Sequence, residues 1–211
     1  MTGDQGLMKP ENRWSRTDSC YLFQSRWYAV RQDELISPEG KAITYTVVEH
    51  PGFVVIVPLL PDGRVVMERI YRYPLQRVNL ECPSGGLDGE APEVAARREL
   101  EEETGYRTDR LINLGRYAAS SGISDEEFSV FLALDVRADG VLRREITEDI
   151  EIELIPLAEV RSMVLRGAIA DAPSALAILL ACDVVAADEE HSSGGIDSYR
   201  SAVGRGPQAA L

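Results

Sequence analysis

The chain is poor in the residues that mark several large protein classes. Aromatics make up 7% of its 211 residues, too few for a platform that stacks single-stranded nucleic acid. Basic residues number 22 against 35 acidic ones, a formal charge of −13. Nucleic-acid backbones and anionic membranes repel such a chain unless a local basic patch or a metal ion intervenes. No apolar run reaches the roughly 18 residues of a membrane span. There are three cysteines, Cys20, Cys82 and Cys182. Their odd number and the absence of C-x-x-C spacing exclude a disulfide frame and a zinc site, and point to a reducing cytoplasmic compartment. His50 and His191 show no ligand spacing. Met1–Trp14 is polar and lacks the apolar stretch of a secretory signal. What remains is 45% apolar residues, enough to build a real core in one domain of ordinary size.

Residues 1–14 are expected to form a flexible start. Residues 188–211, with Gly194, Gly195, Gly204, Gly206 and Pro207, form a tail that buries too little to offset its ordering entropy. Between them, 26–36 and 42–50 read as a hairpin around Ser37-Pro38-Glu39-Gly40. The apolar run 53–60, the turn Pro61-Asp62-Gly63 and the stretch 65–71 read as a second hairpin. A short strand at 79–82 leads into Pro83-Ser84-Gly85-Gly86. The period then changes: 92–104 is dense in Ala, Glu, Arg and Leu, with Pro92 suited to a first helical turn and Gly105 to the position past the end. Strands follow at 111–117, 127–136 and 150–155, and helices at 157–165 and 172–186. Strands mixed with three helices, without regular βαβ alternation, give an α+β domain spanning 15–187.

The segment with most chemistry is Glu90 to Tyr106. On a helix, Glu99 lies three and four positions before Glu102 and Glu103, so the carboxylates project from one face. Like charges this close repel, and a hard divalent cation with oxygen ligands offsets that repulsion. The plain alternative for Glu102 and Glu103 alone is a solvated acidic face, which most charge runs are.

The ordered string goes further. Glu90, seven intervening residues, Arg98-Glu99, Leu100, Glu102-Glu103, Gly105 and Tyr106 resemble the Nudix hydrolase signature G-x5-E-x7-R-E-U-x-E-E-x-G-U, U being a bulky apolar residue. There is one departure. Six positions before Glu90 stands Ser84 rather than glycine, and Gly85 is the nearer match, which leaves the loop one residue short. The resemblance covers about 20–187, with the box at 85–106. It looks most like the branch that hydrolyses ADP-ribose and other nucleoside-diphosphate sugars, through Arg69-Ile70-Tyr71-Arg72-Tyr73-Pro74, Glu81-Cys82-Pro83-Ser84-Gly85, the Ser120–Glu126 stretch and the Gly167–Ala172 turn. In that branch a proline commonly stands where this chain has Ser121.

The resemblance implies an α/β/α sandwich with a mixed central sheet and an N-terminal antiparallel hairpin at 26–50. It implies Mg²⁺, with Mn²⁺ as a substitute, held by Glu99, Glu102, Glu103 and the carbonyl of Ser84. Arg98 would orient and neutralise those carboxylates, and Glu90 would serve a supporting or helix-start role. The base is expected on a later loop, at Glu145 or Glu148. Arg72 matches an arginine that touches phosphate or distal sugar; its plain alternative is a strand arginine paired with an acid. Trp27 and Tyr28 offer a stacking face for a base, although strand aromatics more often pack into a core. Ser121 and Glu126 are expected near the distal part of the substrate. The partners implied are a nucleotide sugar and a second copy of the chain, and neither nucleic acid nor membrane. GDP-mannose is the runner-up substrate. A nucleotide-binding regulator without turnover is the reading from another class.

Overall fold

The computed structural model describes residues 14–144 and 149–190. The chain divides into two compact units, one from the residues up to Pro51 with Ala118–Glu126, the other from Gly52–Tyr117 with Glu127 onward.

In the first unit, β1 (Ser15–Gln24), β2 (Ala29–Ile36) and β3 (Ala42–Glu49) form an antiparallel three-stranded sheet in the order β1-β2-β3. The β2–β3 hairpin is the expected one, closed where the Gly40 N–H donates to the Ser37 carbonyl at 2.8 Å. Strand β1 was not legible in the sequence. All its residues are exposed, so no apolar alternation marks it. Ala118–Glu126 is stitched to β3. The Ser124 hydroxyl donates to the Val48 carbonyl at 2.8 Å, the Val48 N–H donates to the Ile123 carbonyl at 2.8 Å, and the Tyr45 hydroxyl donates to the Gly122 carbonyl at 2.6 Å.

The second unit holds β4 (Phe53–Leu59), β5 (Arg64–Arg72), β6 (Arg77–Glu81), β7 (Ser84–Gly86), α1 (Pro92–Thr104), β8 (Arg110–Ala118), β9 (Glu127–Leu134), β10 (Ile150–Pro156), α2 (Leu157–Leu165) and α3 (Ala172–Glu190). The sheet runs β10-β5-β4-β9-β8, with β6 beside β5 and β7 beside β4. The β4–β9 pair is parallel, while β10, β6 and β7 pair antiparallel, which makes the sheet mixed. Period two explains the continuous apolar run of β4. Val54 and Ile56 pack with Ala95, Ala96 and Leu100 of α1. Val55 and Val57 point to the other face, toward Ala177, Ile178 and Ala181 of α3. Helices on both faces of a mixed sheet are the α/β/α sandwich expected.

Two expectations need correction. β4 and β5 do not form an extended hairpin: they pair only at Leu59 and Val65. Both strands are buried on both faces, and each finds its long partner elsewhere, β4 in β9 and β5 in β10. Helix α3 also continues to Glu190, past the expected start of the tail at 188, because no helix breaker follows Ala186 until Gly194. Residues 1–13 and 191–211, including His191, lie outside the described residues. No helix of the described residues is long and apolar enough to cross a membrane.

Candidate active site

Helix α1 carries the expected carboxylate face, and its ends follow the sequence. Pro92 occupies its first turn, and Gly105 closes it at φ 73°, its N–H donating to the Glu101 carbonyl at 2.8 Å. The face turns inward. Glu99 is 8% exposed and Glu103 4%, whereas a solvated charge run would leave them in water. Strand β7 lies across them. The Ser84 N–H donates to Glu103 Oε2 at 2.9 Å. A Cβ on Gly85 would stand 2.1–2.4 Å from the Glu99 carboxylate, so glycine is what lets the loop approach that group.

The short loop is resolved by a tight turn. Asp88 and Gly89 have φ of 48° and 79°, and the Glu90 N–H donates to the Leu87 carbonyl at 2.7 Å. Two left-handed residues in succession are the demand of a type I′ turn, which Asp-Gly meets best. Arg98 then ties the loop to the helix. Its guanidinium donates to Glu90 at 2.8 Å, Glu99 at 2.8 Å, Glu102 at 3.2 Å and the Gly86 carbonyl at 2.9 Å. Burial works against this charge and is the largest single influence. The hydrogen bond to Glu90 and the carboxylates of Glu99 and Glu102 together outweigh it and hold the guanidinium above its ordinary range.

Strands β5 and β6 add a polar ladder in which Arg72 is paired with an acid, the plain alternative given for it above. Arg72 donates to Glu81 Oε2 at 2.7 and 3.0 Å, and Asn79 donates to Glu81 Oε1 at 2.9 Å. Burial opposes the Arg72 charge first; Glu81, with Glu103 adding to it, raises it on balance. Arg72 is thus paired with an acid and also within the field of the α1 face. Opposite Glu81 in register stands Glu68, and both are buried. Glu68, Glu81, Glu99 and Glu103 place four buried carboxylates in this unit, and no alternation or spacing rule announced the first two.

Residues 48–176 match the NUDIX domain model. The chain belongs to the Nudix family. It is 35% identical over 162 residues to an ADP-ribose pyrophosphatase of Bacillus subtilis, covering 74% of this chain and 86% of that one. An ADP-ribose pyrophosphatase of Mycobacterium tuberculosis is 36% identical over 172 residues, 80% and 83% of the two chains. A GDP-mannose pyrophosphatase of Yersinia pestis is 28% identical over 168 residues, 72% and 83%. A solved ADP compounds hydrolase superposes with a TM-score of 0.73 at 20% identity, covering 90% of this chain and all of that one.

As a Nudix hydrolase, the chain gathers six of its expected site residues in one unit: Arg72, Ser84, Arg98, Glu99, Glu102 and Glu103. Among the described residues no three His, Cys, Asp or Glu side chains converge as a ready metal cage. The donor set nonetheless suits a hard cation. The carboxylate oxygens of Glu99 and Glu103 stand one helical turn apart, the hard donors such a cation takes. Cys82 is packing, as expected: burial first, and then the charge of Asp171, push its thiol up. Its N–H donates to the buried Ser174 hydroxyl at 2.9 Å, anchoring the strand that leads into β7. Glu145 and Glu148 lie outside the described residues.

The other expected residues fall in the first unit. Trp27 and Tyr28 do not sit on a strand. They lie in the connection before β2, where their N–H groups donate to the Ser25 hydroxyl at 3.2 and 3.1 Å. Both are exposed, which removes the core reading. They line a pocket of about 270 Å³ together with Arg26, Glu49, His50 and Asp125. His50 Nδ1 is 3.0 Å from Glu126, a pairing the sequence gave no sign of. Ser121 is exposed, and it is the second residue of a turn closed by the Ile123 N–H on the Ser120 carbonyl at 3.0 Å. This second position accepts a proline's fixed φ. Ser121→Pro is therefore expected to raise stability by about 0.4–1 kcal/mol, chiefly by restricting the unfolded chain. Denaturant unfolding checks this; a lower midpoint would show that the native turn cannot take the ring.

Proposed function

We propose that this Nudix hydrolase cleaves the pyrophosphate bond of a nucleoside-diphosphate sugar, ADP-ribose foremost, with Mg²⁺ and releasing a nucleoside monophosphate and a sugar phosphate. The observation that carries the reading is the buried pair Glu99 and Glu103 beneath the Ser84–Gly86 loop. The names of the bacterial relatives support the substrate class. In this reading Glu99, Glu103 and the Ser84 carbonyl hold the cation, with Glu102 sharing it and Mn²⁺ able to substitute. Bound there, the cation would screen the phosphates, polarise phosphorus and lower the pKa of a water. Arg98 keeps the carboxylates oriented through the hydrogen bonds described, and Arg72 meets the phosphate or the distal sugar. Trp27 and Tyr28 stack the base, and Ser121 and Glu126 belong to the substrate-facing loop. Glu145 or Glu148 takes the proton from the attacking water. The free cysteines suit a cytoplasmic enzyme.

A second copy of the chain completes the protein in this reading. Among the described residues of the first unit the buried ones are Asp33 and Ser37, both polar. A small sheet without an apolar core of its own needs another surface. The exposed Tyr21, Leu22 and Phe23 of β1 offer one. Light scattering is expected to give twice the 23.3 kDa of one chain; a monomer at working concentration would remove the dimer.

GDP-mannose is the second substrate, favoured by the Yersinia relative and by Ser121. Nucleoside monophosphate release from ADP-ribose, ADP-glucose and GDP-mannose, with and without Mg²⁺, tests the proposal. Turnover should require the cation and favour ADP-ribose. Binding without turnover would instead make the chain a nucleotide-binding regulator.

A further inference from the structure

A dianionic pyrophosphate has to approach a face crowded with carboxylates on a chain of charge −13. Four arginines border that face among the described residues, and three are committed by hydrogen bonds. Arg98 serves the loop and its acids, and Arg72 serves Glu81. Arg144 donates to the Glu103 carbonyl at 2.7 Å and to the Ile150 carbonyl at 2.6 Å.

Arg143 differs. Its backbone is fixed where its N–H donates to the Glu102 carbonyl at 2.9 Å. Its guanidinium stands 3.5 Å from Glu102 Oε1, with the side chain 61% exposed. That distance is an ion pair without a formed hydrogen bond, and an exposed pair of this kind contributes little. The other oxygen of Glu102 faces Arg98 at 3.2 Å.

We propose that Arg143 is a substrate-binding residue that takes a phosphate oxygen of the nucleoside diphosphate, exchanging its loose contact with Glu102 for a charge-assisted bond to phosphate. The assignment rests on the pyrophosphatase reading and adds a residue to it. The physical reasons are three. The backbone of Arg143 is held beside the carboxylate face, so its side chain starts next to where the phosphates meet that face. Its fork matches phosphate geometry. Its exposed positive charge beside Glu102 steers an anion toward a chain that otherwise repels it.

The test is calorimetric binding of Mg²⁺–ADP to the wild-type protein, Arg143→Ala and Arg143→Lys, at low and high salt. Arg107→Ala serves as the control; Arg107 is an exposed arginine 3.4 Å from Glu101, outside the site described. Loss of Arg143 is expected to weaken binding about ten- to a hundredfold and to flatten its salt dependence. Lysine should recover the salt dependence but only part of the affinity, and Arg107→Ala should bind as the wild type does. The thermal midpoint of Arg143→Ala should not move, which separates binding from a structural role. Equal affinity in wild type and Arg143→Ala overturns the assignment, as does a wild type that fails to bind Mg²⁺–ADP. Absence of turnover on the nucleotide sugars, with Arg143-dependent ADP binding intact, would sink the hydrolase reading and leave this one standing.

Discussion

Replacing Glu103 by glutamine is expected to leave a folded protein whose turnover at saturating Mg²⁺ falls about 10²- to 10⁴-fold. The range corresponds to several kcal/mol of lost charge stabilisation at the reacting phosphate. Glutamine keeps the size of the side chain and an oxygen that can still accept the Ser84 N–H, now 2.9 Å from Glu103 Oε2. The change therefore removes charge while the loop contact survives. Glu103 is 4% exposed and stands one turn from the like charge of Glu99, so a neutral amide of the same size relieves repulsion while the fold stands. Circular dichroism and the unfolding midpoint should stay near wild type. Steady-state kinetics across a Mg²⁺ titration decide the role. Near wild-type kcat at saturating cation would exclude Glu103 as a ligand.

Gly85→Ala should nearly match that loss without touching an acid. The added Cβ would overlap the Glu99 carboxylate at 2.1–2.4 Å. The obstacle is the far end of a flexible side chain, so the fold survives and Glu99 swings out of the face. Expelling it also breaks its 2.8 Å bond to Arg98. A drop of about 10²- to 10³-fold in kcat/KM is expected, the size of losing one preorganised electrostatic partner. Gly86→Ala is the internal control. Its Cβ would meet the Asp88 side chain at 3.6–4.0 Å, ordinary contact, and the backbone carbonyl that accepts from Arg98 is unchanged. The two alanines placed side by side should therefore differ by more than tenfold. Equal activity in both would mean that the closeness of β7 to Glu99 has no functional weight.

These two predictions use different kinds of information. Glu103 was legible in the sequence because the spacing of carboxylates on a helix is local. A 3.6-residue period puts Glu99 and Glu103 on one face whatever surrounds them, and Pro92 and Gly105 punctuate the helix within a few residues of it. The strands of the second unit were legible for the same reason, since apolar runs such as 53–60 and the acidic–apolar alternation of 150–155 reflect local burial. Gly85 could be named from the motif, but not the reason it has to be glycine. That reason is a carboxylate fourteen positions later, which β7 approaches so closely that any Cβ at this position would overlap it. The one-residue shortening before Glu90 looked like a defect in the string; the turn at Asp88-Gly89 absorbs it, and Arg98 spans the result.

The rest needed the tertiary structure. Strand register decides which acids are buried, so Glu68 and Glu81 became neighbours only through the β5–β6 pairing. The same holds for β4, whose long partner is β9, with Phe53 opposite Phe128, and not the adjacent β5. Strand β1 carries no signal because all of it is exposed on the single chain. The grouping of Ala118–Glu126 with the first unit, and of His50 with Glu126 inside it, rests on hydrogen bonds that span more than seventy residues. By itself the sequence determined the family, the helix and its carboxylate face, because these depend on fixed local spacing. Which carboxylates are buried, how close the loop comes to Glu99 and which arginines are held by hydrogen bonds depend on chain crossings, and only the tertiary structure decided them.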